Sequence, residues 1–145
     1  MAAVCSNRGI FRSMRWLSLS AAPLSRSLGG TEVYVHRLAT ALRRSAVEVA
    51  SASFGETVNG PDSFGLPALP SRFTRWQRWS CQPFGLKEFH ELLRRLVPEV
   101  VHFHGSLQVN PPEFLFAARS SGAKVLWTHH SPGNTCLQTA LLRDG

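Results

Sequence analysis

Histidines and glycines, more than carboxylates, mark where this chain could do chemistry. His102 and His104 are one residue apart, so both rings project from the same face of a strand and Phe103 from the other. A His-x-His pair at a strand end can ligate a metal in a hydrolase, or act as acid, base or hydrogen-bonding group in a cleft. Such metal sites also need carboxylates or more histidines, and no Asp lies between Asp62 and Asp144. His130 and Cys136 would have to complete a zinc site. For His102 the plainer alternative is a core histidine bonded to backbone.

Gly29-Gly30-Thr31-Glu32 is the second place. Two residues without side chains at the head of a helix let a ligand approach the backbone, and the free amides with the helix dipole attract phosphate. A tight strand-to-helix turn without a ligand would use the same residues. The stretch is neither Gly-x-Gly-x-x-Gly nor a Gly-Lys-Ser/Thr phosphate loop, so standard nicotinamide or ATP sites are not supported. Arg72-Phe73-Thr74-Arg75-Trp76-Gln77-Arg78-Trp79 interleaves cations and aromatics. That pattern suits an anionic lipid face or single-stranded nucleic acid, or a surface segment whose rings pack on the domain.

The elements that must position these residues follow from periodicity. Arg15 to Ser20 alternates as a strand. A helix follows from near Thr31, capped by that threonine, with Glu32 in its first turn, Val35, Leu38, Ala39 and Leu42 on one face, and Arg43 and Arg44 in its last turn. Val47 to Ala52 reads as a strand. Residues 55 to 85 contain four prolines and four glycines and are loop-rich, with one strand expected around Phe64 to Leu69. Leu86 to Val97 is helical and stopped by Pro98. Val100 to His104 is a buried strand, a helix starts at Pro111 or Pro112 and ends before Gly122, and Ala123 to Thr128 is a strand. This alternation predicts an α/β, Rossmann-like parallel sheet with helices on both faces. Ligands then belong at the carboxyl ends of the strands, which selects the glycine pair, the His104-Gly105 turn and Thr128-His129-His130.

The chain has 145 residues, 43% hydrophobic and 17% charged, with net charge +7, a balance for one globular domain and anionic partners. No apolar run of about 18 residues offers a membrane span. Cys5, Cys81 and Cys136 are odd in number and dispersed, which fits a reducing cytoplasm, with peripheral contact at the inner face of a membrane left open. The first 31 residues carry Arg8, Arg12, Arg15 and Arg26 and no carboxylate, which also suits a transit peptide. Strand periodicity starting at Met14 instead makes residues 1–13 an extension and 14–145 the domain.

Met14 to Ser18, Gly29 to Glu32, Pro98 to Gly105 and Lys124 to His130, in that order, resemble the amino-terminal domain of family 4 glycosyltransferases. The resemblance implies retaining enzymes of the GT-B fold, in which two Rossmann-like domains face each other across a cleft. The first binds a sugar, lipid-linked or small-molecule acceptor and the second a nucleotide-sugar donor. Only the first half is matched, so the expectation is a truncated or partial chain, inactive alone, with no cofactor, no metal and no nucleic-acid partner. By position, Gly29, Gly30 and Thr31 would border the donor phosphates. His130 would face the reacting sugar as the catalytic residue, and His104, Gly105 and His129 would line the acceptor side. Ser131 replaces a frequent Asp, Glu99 replaces Asp at the start of its strand, and Ala46-Val47 replaces Gly-His, a change with a structural reading.

Overall fold

The computed structural model describes residues 13–20, 29–55, 61–67, 85–105 and 111–130. Five parallel strands form one sheet in the order β3-β2-β1-β4-β5: β1 Arg15–Ser20, β2 Glu48–Phe54, β3 Ser63–Leu66, β4 Val100–His104 and β5 Lys124–Thr128. Among the described residues three helices connect them, α1 Gly30–Arg44, α2 Leu86–Leu96 and α3 Pro112–Ser120. The chain grows from β1 outward through β2 and β3, then returns to place β4 on the other side of β1. That reversal makes the carboxyl ends of β1 and β4 the switch point at which open α/β sheets take ligands.

Alternation along the strands sorts side chains onto two faces. Leu17, Leu19, Val101 and Phe103 join Phe89, Leu92 and Leu93 of α2 and Phe114, Ala117 and Ala118 of α3 in one core. Its aromatic centre sets the Phe89 ring 4.9 Å from Phe114 and 6.1 Å from Phe103. On the opposite face, under α1, the strands bury Ser18, Ser20, Ser53, His102 and His104. Helix α1 covers them with Val35 and Ala39, as its spacing requires.

The helix boundaries show where local rules held and where they yielded. Pro112 sits in the first turn of α3, and Gly122 follows its end. Thr31 is not the cap of α1. Gly29 holds that place with φ −71° and ψ 159°, and its carbonyl accepts the amide of Val33 at 3.2 Å. A capping residue must be extended, and Thr31 is already helical, so its hydroxyl cannot play that part. Ala46 has φ 59° and Val97 φ 44°, left-handed conformations that cost a residue with a Cβ roughly 1–2 kcal/mol. At Ala46 the amide donates to the carbonyl of Arg43 at 3.1 Å and so closes α1. At Val97 the following Pro98 disfavours continuing the helix.

The limits of β2, β3 and β5 differ from those the periodicity indicates, β5 by one residue at its start. β2 runs on to Phe54, because Gly55 donates to the carbonyl of Leu66 and extends the ladder with β3. β3 is four residues long and ends at Leu66, before Pro67. Among the described residues no helix is long and apolar enough to cross a membrane.

Candidate functional site

Three histidines and a tyrosine meet at the carboxyl end of the sheet, on the face under α1. His102 and His104 leave β4 side by side, with ring centroids 3.9 Å apart. His104 is fully buried, and its Nδ1 lies 3.2 Å from Nε2 of His130, just beyond β5. His102 shares a 2.7 Å hydrogen bond between Nε2 and Oγ1 of Thr128, and the edge of Trp16 packs on its ring at 5.5 Å. Tyr34, in the second turn of α1, sets its ring 5.0 Å from His130 and 6.0 Å from His104 while staying 43% exposed. Parallel register makes this meeting possible, because His102 pairs with Leu126 and His104 with Thr128 across β4 and β5.

Burial sets the charge state of these rings. Loss of water, then repulsion from His130, lowers the His102 pKa to about 4. His104, losing more water and facing both neighbours, falls to about 3. His130 is lowered by burial too, partly opposed by the carboxylate of Glu32, with His129 adding to the lowering. All three are therefore neutral at physiological pH and can act as hydrogen-bonding groups.

The other expected residues divide by position. Gly29 and Gly30 are exposed at the head of α1, and a Cβ built on Gly30 would meet no atom within 4 Å. Neither has a positive φ, so the turn itself does not require glycine there. Gly105 differs: its φ of 113° is one that side chains resist, and it is locked by Trp127 Nε1 donating to its carbonyl at 2.8 Å. His129 turns away from His130, with its ring 4.4 Å from Trp127. Glu99 lies 4.0 Å from Arg15 in an ion pair.

His102, His104 and His130 do not make a metal centre. They pack ring against ring, and the nitrogens that meet bond to each other or to Thr128 instead of converging on one point. Among the described residues no group of three or more His, Cys, Asp or Glu could hold a metal ion. Cys136, Ser131 and the segment Arg72 to Trp79 lie outside the described residues. Tyr34, Thr128 and Trp16 were not foreseen as partners of these histidines. Tyr34 is half-exposed one turn beyond the glycine pair, and that proximity was the available signal. A cavity of about 580 Å³ opens between Arg15, Arg43, Glu48, Asp62 and Arg95. It lies at the amino ends of the strands, where α/β sheets do not take ligands.

The fold is shared with the crystal structure of a glycosyltransferase from Rickettsia africae ESF-5, at TM-score 0.55 and 18% identity. The match covers 83% of this chain and 31% of that one, so the chain spans under a third of that protein's length. No curated protein matches the chain. The model of Glycosyltransferase Family 4 matches residues 28–143, which runs from the glycine pair through all three histidines and takes in most of the sequence. On that match, the chain belongs to Glycosyltransferase Family 4.

Proposed function

We propose that this chain is the acceptor-side half of a retaining, GT-B glycosyltransferase, which transfers a sugar from a nucleotide-sugar donor once a donor-binding half completes the cleft. The observation that carries this reading is the convergence of Tyr34, His104 and His130 at the carboxyl end of the sheet, on the face from which α1 rises behind the glycine pair. In the proposed reaction the bond between the sugar and the diphosphate breaks. A bond from the acceptor hydroxyl oxygen to the sugar carbon forms with the configuration kept, and the hydroxyl proton passes to the departing diphosphate. Negative charge grows on the departing diphosphate, and the amides of Gly29, Gly30 and Thr31 at the positive end of α1 stabilise it. The open space beside Gly30 suits close approach of the phosphates.

His130 faces the reacting sugar, where positive charge develops, and its neutral ring interacts through a nitrogen lone pair or N–H without repelling that charge. His104, Gly105 and His129 border the acceptor. The net charge of +7 favours an acidic acceptor or one carried on an anionic lipid face, which is consistent with a peripheral place at the inner side of a membrane.

Activity assays test the reading. The chain alone, offered a panel of nucleotide sugars and acceptors, should give no product above the buffer blank. The same chain joined to the donor half of a family member should transfer sugar. Turnover by the isolated chain would refute the half-enzyme reading.

A further inference from the structure

We propose that His104 is a positioning residue: its Nδ1 accepts a hydrogen bond from Nε2–H of His130, leaving Nδ1 as the nitrogen His130 offers a substrate. The inference rests on the reading of His130 as the sugar-facing group and concerns what holds that ring. His130 lies two residues beyond the last residue of β5, whereas His104 ends β4, a fully buried strand held between β1 and β5. The rigid partner is therefore His104. Its ring centroid lies 3.9 Å from that of His102, 5.4 Å from that of His130 and 6.0 Å from that of Tyr34, and the residue is fully buried. A side chain so enclosed is held in one rotamer, and so is whatever bonds to it.

The direction of the bond follows from tautomer chemistry. Two neutral imidazoles joined between Nδ1 and Nε2 share one N–H. If Nε2 of His130 donates, both rings carry their proton on Nε2, the tautomer that histidine favours in water. The reverse would force both rings into the less stable form. A protonated pair is disfavoured, because His104 is fully buried and His102 and His129 add repulsion to the cluster, with Glu32 the carboxylate that opposes it at His130. The neutral pair leaves His130 a lone pair on Nδ1, suited to a sugar hydroxyl or to growing positive charge at the sugar carbon.

Nitrogen-15 NMR of the full chain labelled at histidine, at about pH 8 and so above the histidine range, reads the protonation of each ring nitrogen. His130 should show a protonated Nε2 and an unprotonated Nδ1. The exposed His36 and His90 should show values averaged between tautomers. In His104→Leu the His130 signals should collapse toward those averages. In His104→Asn, whose carbonyl can stand where Nδ1 stood, they should stay separate. A wild-type His130 that is already averaged, or protonated on Nδ1, overturns the proposal without any variant having to fold. A folded His104→Leu chain with unchanged His130 signals overturns it as well. The sugar-facing role of His130 fails on a different measurement, unchanged turnover of the joined enzyme after His130→Ala.

Discussion

The two faces of the sheet are made by the same strands, yet one buries Leu17, Leu19, Val101 and Phe103 and the other Ser18, Ser20, His102 and His104. The first packs on two helices through interlocking aromatics, and the second is covered by α1. Apolar area removed from water drives folding, so the first face holds the domain together. Buried polar groups add little net stability but must be partnered, which fixes their geometry. Residues one apart thus divide the labour: Phe103 contributes to the core, and its neighbours His102 and His104 hold the site.

Breaking the apolar face should give the largest effect. Phe103→Ala should cost about 3–5 kcal/mol in urea unfolding, whereas Ser18→Ala, which removes the hydroxyl that accepts from Trp16 Nε1, should cost about 1 kcal/mol. Equal costs would erase the contrast. On the polar face the expected loss is kinetic. His130→Ala in the joined enzyme should lower turnover roughly a hundredfold, as when one group stabilising a transition state is removed, with little change in unfolding. His129→Ala, whose ring packs on Trp127, should lower it less. Equal losses, or unfolding of the His130 variant, would refute the assignment.

Acid should weaken the polar face selectively. An unfolded histidine titrates near 6.5, while His102 and His104 in the fold titrate at about 4 and about 3. Below pH 6.5 the unfolded chain therefore takes up protons that the folded chain refuses. Stability falls as pH drops, by about 1.4 kcal/mol per pH unit for each ring, until each folded pKa is passed. Urea midpoints measured between pH 7 and 5 check this, and a flat profile would contradict the burial argument. Gly30→Ala should be smaller still, leaving stability unchanged or raised by about 0.4–1 kcal/mol because the backbone there is ordinary. A loss of donor affinity without loss of stability would mark Gly30 as a ligand-facing residue. The smallest effect belongs to the amino terminus. A chain starting at Met14 should keep its unfolding midpoint within about 0.5 kcal/mol, giving up the exposed contact between Ser13 and Glu48. A larger drop would place residues 1–13 within the domain.

Much of the frame was legible because short-range rules fix it. Arg15 to Ser20 and Val100 to His104 have the limits that their alternation indicates, and Pro98 and Pro112 bound helices where the missing amide requires. The site was legible only in part. The alternation of Leu17 and Leu19 with Ser18 and Ser20 already announces a polar face, but nothing in it says which groups will meet there. The cap of α1 falls two residues before Thr31, because a threonine beside glycines satisfies the capping rule on paper while the backbone of Gly29 takes the capping position.

By itself, then, the sequence determined the elements, their parallel arrangement and the side of β4 on which each histidine lies, since periods of 2 and 3.6 are local properties of the backbone. Only the tertiary structure decided that β4 lies between β1 and β5, that Thr128 bonds His102, and that His130 and Tyr34 close on His104. Those contacts join residues 26 or more positions apart in the chain. Their geometry comes from strand order and register, which are set by the packing of the whole sheet and not by any one segment.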